Sequence, residues 1–337
     1  MAAPQSTDPP KRHHYLPQTY QRAWCDSAGH VAVRRRGTSR VFEANPLNVG
    51  AESHLYGKGA HALWRERNFG LLEEEWPALR TELTSTGHVN GRERQMVATF
   101  IALQVARTRE HLLRTSVAAE LADFAHERPV TKESVRRFIQ QQLRHDPEDI
   151  EVDAAWSLTN YEISQGVPTV DQAFSISMDI AVRQMAPMFE NLHWRIERSE
   201  EPVLWTSDRA VMPWRPPSER DTYEGVGYGD ADEIRMPLGP TAMLIAERAY
   251  SASPKKVPAT RFHDYNRDIA RQCYQFIICT PGRRARLEHT PLADRRAAIR
   301  FHMGPSVEIT PDGTEVSGND VIHTWVPIRD NGARPGS

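Results

Sequence analysis

Cysteine is scarce in this sequence. The 337 residues include only three, Cys25, Cys273 and Cys279. They are too far apart for a CxxC or zinc-finger pattern, and an odd number argues against a disulfide framework. We therefore expect reduced thiols.

Long hydrophobic runs are also missing. The opening, MAAPQSTDPPKRHH, has no apolar h-region of a secretory signal, and no later run approaches the roughly 18 apolar residues of a membrane helix. With the reduced thiols, this predicts a cytoplasmic protein without a membrane partner.

Neither sign of charge dominates, since 42 basic and 44 acidic residues give a formal net charge of −2. This balance implies no attraction of the whole molecule to nucleic acid, although a local basic patch could still bind it. The hydrophobic fraction of 39% excludes a wholly disordered chain. The sequence indicates no oligomeric state.

Common cofactor motifs are absent. The sequence contains no GxxxxGK[ST] and no HExxH, and the glycines of GVGYG at 225–229 lie in an acidic stretch without the strand-to-helix setting of dinucleotide binding. We therefore expect no nucleotide cofactor.

The pattern along the chain predicts an α+β protein. Apolar residues recur at helical spacing over 63–192, and short β-rich runs follow over 193–328. We expect one domain over 11–328, in which a large helical insertion packs against a small mixed or antiparallel sheet of N-terminal and C-terminal strands. The polar ends, 1–10 and 329–337, are predicted to be disordered.

Three local predictions can be checked directly. A hairpin is expected between Gly29 and Phe42, with the arginines 34–36 on a solvated edge. Pro77 should kink or break a helix over 63–83. A single long helix is expected from Arg92 to about Glu127.

An adjacent pair of histidines, His13 and His14, is the most unusual local feature, and Pro17 and Gln18 follow closely. Neutral imidazole can bind a metal or accept a proton near neutral pH. In an extended backbone, neighbouring side chains face opposite ways, so only one of the two should enter a given pocket. The alternative is a surface pair near a disordered terminus.

The stretch HHYLPQTYQRAW resembles the HHYVPQFYLRNF-type opening of a bacterial family known as domain of unknown function number 4238. The resemblance covers roughly 12–280 and continues through 45–49, the helix with Glu73, FIALQVARTR at 100–109, TSD at 206–208 and Asn266. It departs where Arg209-Ala210, rather than Asn-Pro, follows TSD. No settled reaction comes with the family, so the resemblance implies a site and not a substrate.

Polar side chains lie in phase with the buried stripe of the helix that begins near Arg92. Val97 and Phe100 mark that stripe, and Gln104 and Arg107 project close to it. A buried guanidinium needs an anionic or accepting partner. That partner is either a phosphate or carboxylate of a ligand or a protein carboxylate such as Glu73, and the sequence leaves both open.

Ser207 and Asp208 follow a short apolar run, where a strand gives way to a loop. Strand ends commonly display functional side chains, so Asp208 could bind a metal or orient a histidine. Asp and Ser also cap turns, which is the structural alternative.

The leading hypothesis is an enzyme acting on an anionic substrate, a metal-assisted or His-dependent hydrolase of a phosphoester that could be nucleic acid. Predicted catalytic residues are His13, His14, Asp208 and Arg107, substrate-binding residues are Gln18, Gln104, Ser207 and Asn266, and ligands of a divalent metal are His13, His14, Asp208 and Glu73. The alternatives are a biosynthetic enzyme for a small carboxylate and a non-catalytic anion-binding or partner-binding protein.

Overall fold

A computed structural model describes residues 12–53, 55, 60–142, 146–166, 169–216, 226–248, 257–290, 292, 298–302, 306–309, 315–318 and 323–327. The predicted disordered ends, 1–10 and 329–337, lie outside these residues. Contacts divide the chain into two compact units, one formed by Met1–Arg109 with Ser177–Arg295 and the other by Glu110–Ile176 with Arg296–Ser337.

The helices confirm the α+β prediction. They are α1 Gln18–Gln21, α2 Ala60–Thr86, α3 Gly91–Ala106, α4 Arg109–Ala125, α5 Lys132–Gln142, α6 Asp149–Gln165, α7 Val170–Ile180, α8 Ala186–Glu190, α9 Ala259–Gln272 and α10 Arg284–Glu288. A π-helical segment, Ala181–Met185, joins α7 to α8.

The strands are short, as the β-rich runs predicted. They are β1 Arg12–His14, β2 Val31–Arg35, β3 Val41–Ala44, β4 Ala51–Ser53, β5 His193–Arg198, β6 Thr206–Ser207, β7 Met212–Trp214, β8 Glu233–Gly239, β9 Ala242–Glu247, β10 Phe276–Cys279, β11 Ala298–His302, β12 Ser306–Ile309, β13 Glu315–Gly318 and β14 His323–Pro327.

Three antiparallel sheets belong to the first unit, with strand orders β1-β4, β3-β2-β10-β6 and β5-β9-β8-β7. The predicted hairpin is β2-β3, and Gly37 in its turn has φ +78°, a conformation that favours glycine. On β10, Ile278 pairs with Val33 and with Thr206. The N-terminal hairpin and the TSD segment therefore flank the same C-terminal strand.

The helix boundaries differ from the sequence prediction at two places. Helix α2 includes Pro77 without a break. The single helix expected from Arg92 to Glu127 is wrong, because α3 ends at Ala106 and α4 begins at Arg109. Thr108 closes this turn by donating its hydroxyl to the carbonyl of Val105 at 3.0 Å, so the break needs neither glycine nor proline.

The predicted solvated edge is wrong for Arg34, which is only 8% exposed. Its guanidinium donates to carbonyls at the end of α10, including that of Glu288 at 3.2 Å. Arg36 donates in the same way to the carbonyl of Tyr274 at 3.1 Å, after α9. The carbonyls left unpaired at helix C-termini attract guanidinium groups, which draws these side chains away from water.

An aromatic core joins α1, α2 and α3. Tyr20, Trp24, Trp76 and Phe100 are buried, and the rings of Trp76 and Phe100 stack with centroids 3.8 Å apart and planes 6° apart. These large side chains bury much apolar surface, which fixes α2 and α3 beside the segment that follows β1.

In the second unit, α4 to α6 accompany two antiparallel pairs, β11-β14 and β12-β13. Helix α6 contacts β11 and β14. Asn160 of α6 pairs with both backbone groups of Val130, accepting from its nitrogen at 2.8 Å and donating to its oxygen at 3.0 Å. Among the helices in the described parts of both units, none is long and apolar enough to cross a membrane.

Candidate functional site

The two histidines occupy opposite sides of β1, as an extended backbone requires. Strand β1 pairs with β4, which places His13 opposite Glu52 and His14 opposite Ala51. His13 is completely buried and His14 is half-buried. The two imidazoles therefore have unequal environments.

A backbone carbonyl orients the imidazole of His14. Its Nε2 lies 3.2 Å from the carbonyl oxygen of Leu47. Because a carbonyl only accepts, Nε2 is the protonated nitrogen, and a neutral ring carries its lone pair on Nδ1. Asn45 caps the turn at Leu47 by accepting from its backbone nitrogen at 2.9 Å. The Asn45-Pro46-Leu47 stretch thus has a physical role, which is to present this carbonyl to His14.

Burial lowers the pKa of His14 below its ordinary value. The hydrogen bond to Leu47 and the charge of Glu73 oppose that shift, whereas the charges of Arg12 and Arg107 add to it. At neutral pH the ring is therefore neutral and able to accept a proton.

The Arg107 side chain is 2% exposed, and its Nη1 lies 2.7 Å from Oε1 of Glu73. In the amide orientation that its neighbours require, the oxygen of Gln104 accepts from Arg107 Nε at 2.9 Å and also from Nη2. The guanidinium lies 5.2 Å from the ring centroid of Phe69. The sequence left open whether the partner of Arg107 is a ligand anion or a protein carboxylate. In this structure the partner is a protein carboxylate, that of Glu73.

Glu66 is a site residue that the sequence reasoning missed. Burial raises its pKa to about 7, the charge of Glu73 adds to the rise, and that of Arg107 opposes it. Glu66 precedes Glu73 by seven residues on α2, a spacing that puts both on one helix face. This spacing could have indicated Glu66 from the sequence. The three consecutive glutamates at 73–75 made the pattern look like an exposed acidic face instead.

The residues of the TSD segment contact backbone groups. Asp208 accepts from the nitrogens of Tyr274 at 3.0 Å and Gln275 at 2.5 Å. Ser207 Oγ accepts from the nitrogen of Arg209 at 3.1 Å and donates to its carbonyl oxygen at 3.0 Å. These contacts match the turn-capping alternative for Ser207 and Asp208.

The side chain of Asn266 also makes its hydrogen bonds with backbone groups. Its Oδ1 accepts from the nitrogen of Trp205 at 2.9 Å, and its Nδ2 donates to the carbonyl of Val203 at 2.8 Å. The amide thereby holds α9 against the segment before β6.

The chain after β1 lies beside the TSD segment. The hydroxyl of Tyr20 accepts a hydrogen bond from Oγ1 of Thr206 at 2.8 Å, because its own proton goes to the carbonyl of Pro237. Trp24 Nε1 donates to the carbonyl of Leu204 at 2.8 Å. Tyr15 donates to Oε1 of Gln275 at 2.8 Å, and Asp208 adds to the rise in the pKa of Tyr15 that burial causes. Gln18 begins α1 and is half-buried. The two segments that carry the family resemblance, the opening at 12–24 and the TSD segment at 206–208, therefore lie side by side in the structure.

Within the residues described, no group of three or more His, Cys, Asp and Glu side chains is arranged to hold a metal ion. The assignment of His13, His14, Asp208 and Glu73 as ligands of a divalent metal stays a prediction from the sequence.

The family model described as "Protein of unknown function (DUF4238)" matches residues 12–283. This span covers most of the chain, from the His pair to the end of the sheet that holds β10, so the chain belongs to this family. No curated protein and no solved structure matches the chain.

Replacing Glu66 with glutamine should remove a pH dependence of stability. With a pKa of about 7 in the fold and an ordinary value of 4.5, Glu66 holds in the folded state a proton that the unfolded chain releases. Wild-type stability should therefore fall, relative to Glu66→Gln, as pH rises from about 4.5 to about 7. Urea unfolding at pH 5, 6, 7 and 8 measures this, with exposed Glu74→Gln as the control. A difference that is constant across pH would contradict it.

Asp208→Asn should reduce stability by about 1–3 kcal/mol, because an amide nitrogen would replace one acceptor of two charge-assisted bonds to backbone nitrogens. Asp264→Asn is the matched control, since Asp264 is 61% exposed and should change stability by less than about 0.5 kcal/mol. Denaturant unfolding measures both. Unchanged stability of Asp208→Asn would leave the catalytic or metal role as the better assignment.

Proposed function

We propose that this protein is a hydrolase of an anionic substrate, a phosphoester, with His14 as the residue that moves protons. One observation carries the proposal: the half-buried imidazole of His14, whose tautomer the Leu47 carbonyl sets, is influenced by the charges of Glu73 and the buried Arg107, which form an ion pair. Imidazole and carboxylates with displaced pKa values concentrate at catalytic sites.

In the proposed reaction, Nδ1 of neutral His14 takes a proton from the attacking water while the water oxygen bonds to phosphorus. The ester P–O bond breaks, and its electron pair stays with the leaving oxygen, which receives a proton from Glu66. The pKa of Glu66, about 7, leaves a large protonated fraction at neutral pH. Arg107 has a positioning role, because its guanidinium holds the Glu73 carboxylate.

Charges of both signs act on the His-Tyr segment: Glu73 acts on His14 against Arg12 and Arg107, and Asp208 and Glu52 act on Tyr15 against Arg35 and Arg109. These mixed charges give no field that favours anions by itself. The proposed preference for an anion therefore rests on the residue types of the site, an imidazole with carboxylates and arginine. The overall charge of −2 gives no separate support for nucleic acid. If a divalent metal takes part, His13, His14, Asp208 and Glu73 are its proposed ligands, and we propose that the protein works in a bacterial cytoplasm.

The test is a substrate screen with purified protein. p-Nitrophenyl phosphate, bis-p-nitrophenyl phosphate and a short single-stranded DNA represent a monoester, a diester and nucleic acid. Each is assayed with Mg²⁺, Mn²⁺ or Zn²⁺ and with EDTA. Turnover in wild type that is lost in His14→Gln supports the proposal, and loss with EDTA adds the metal. Binding of an anion without turnover of any substrate would favour the non-catalytic alternative.

A further inference from the structure

Arg80 of α2 is a half-buried arginine whose Nη1 is buried and has no hydrogen-bond partner among the residues the structure describes. Within the same residues, no carboxylate lies at ion-pair distance from it. Burial lowers the pKa of its guanidinium, and an ionised Tyr20 would oppose that shift. A guanidinium that is partly removed from water is destabilised unless an acceptor or an anion compensates it.

Two other arginines of the first unit have acceptors for their guanidinium groups. Arg107 pairs with Glu73. Arg94 donates to the carbonyls of Glu190 at 2.9 Å and Leu192 at 2.6 Å, where α8 ends. Arg198 also has a buried Nη2 without a hydrogen-bond partner among the described residues, but its Nε donates to the carbonyl of Thr84 at 2.9 Å. Arg80 differs from these three arginines in that no acceptor for its guanidinium is found among the described residues.

Tyr20 supplies no negative charge. Its hydroxyl donates to the carbonyl of Pro237 at 2.8 Å, so the contact with Thr206 is one in which the threonine donates. Burial raises the pKa of Tyr20 far above its ordinary value, which keeps the phenol neutral. The partner of Arg80 must come from elsewhere.

A second donor lies one helical turn before Arg80. Trp76 is completely buried, and its Nε1 also has no hydrogen-bond partner among the described residues. Side chains four residues apart share a helix face, and the longer one leans back toward the N-terminus, which brings the guanidinium over the turn of Trp76. Two donors on one face, one of them charged, complement a negatively charged acceptor.

We propose that Arg80 and Trp76 bind a phosphate group of a small-molecule ligand. Arg80 lies seven residues from Glu73 on the same face of α2, about 10 Å along the helix axis, and Trp76 lies between them. A phosphate bound by the Arg80 guanidinium would therefore lie about two helical turns from Glu73. The proposal goes beyond the proposed hydrolysis and does not require it.

The experiment uses inorganic phosphate as the probe and the full chain as the protein. Thermal unfolding is followed with increasing phosphate and, at matched ionic strength, with acetate or chloride. The variants are Arg80→Met and, as a control, Arg67→Met, which removes an exposed arginine from the same helix. Wild type and Arg67→Met should show a saturable rise in Tm with phosphate, and Arg80→Met should not. Without phosphate, Arg80→Met should unfold at or above the wild-type Tm, because a half-buried charge whose Nη1 has no hydrogen-bond partner among the described residues has been removed.

An NMR titration gives a readout that does not depend on stability. The Trp76 indole N–H resonance, assigned from Trp76→Phe, should shift with phosphate in wild type and stay in place in Arg80→Met. An equal Tm response in wild type and Arg80→Met, or no shift of this resonance, would overturn the proposal and leave a structural arginine. Neither measurement uses turnover, so failure of the hydrolase proposal would not affect the result.

Discussion

Replacing His14 with glutamine should lower kcat on the phosphoester identified by the substrate screen by a factor of on the order of 10²–10⁴, the range for a positioned general acid or base. Glutamine keeps an N–H that can donate to the Leu47 carbonyl at the place of Nε2, but it cannot accept a proton at pH 7. The fold should therefore be retained while proton transfer is lost. Steady-state kinetics and a denaturation curve for the same sample measure both.

His13→Gln is the matched comparison, because the two histidines are neighbours on β1 and face opposite ways. His13 is completely buried, so its replacement should act on stability and leave kcat per folded molecule within a few-fold. Equal large losses of kcat in both variants, with the fold intact, would contradict this division and indicate two ligands of one metal or a joint acid–base pair.

The pH profile of kcat follows from the same assignment. The reactive form has His14 neutral and Glu66 protonated, so activity should rise as pH increases through the lowered pKa of His14 and fall as it passes about 7. In Glu66→Gln the alkaline fall should disappear while the acid limb remains. An unchanged alkaline limb would show that another group donates the proton.

Arg107→Met should destabilise the protein by about 2–4 kcal/mol. Loss of one partner of a buried pair costs about 3–5 kcal/mol, and Glu73, at 21% exposure, regains part of that from water. The unpaired Glu73 would also lie near the Glu66 carboxyl, whose pKa it already raises. Urea unfolding at pH 7 measures the change.

A double-mutant cycle with Glu73→Gln separates this ion pair from the simple loss of packing. The neutral amide introduced by Glu73→Gln would leave no uncompensated charge beside Arg107→Met. The double variant should therefore recover a coupling free energy of about 1–3 kcal/mol relative to the sum of the single changes. Additive effects would mean that Arg107 stabilises the fold through its contacts with Phe69 and Gln104 alone.

Much of the local structure follows from the sequence. The period of apolar residues predicted the helix α2, and β-branched residues beside a glycine turn predicted the β2-β3 hairpin, because both patterns reflect one face meeting a core. The break after α3 was not predictable from the local pattern. Arg107 continues the helical phase of the apolar pattern, yet α3 ends just before it, and its side chain pairs with Glu73 on another helix.

The candidate site divides in the same way. Backbone periodicity was enough to predict that His13 and His14 would face opposite sides and that Arg107 would point inward. The packing of separate elements was needed to show that His14 meets the Leu47 carbonyl and that Glu73 pairs with Arg107. The same packing was needed to show that Asp208 and Asn266 accept hydrogen bonds from backbone nitrogens of other segments. Periodicity sets the direction of a side chain within its own element, whereas its partner and its pKa depend on which other elements pack beside it.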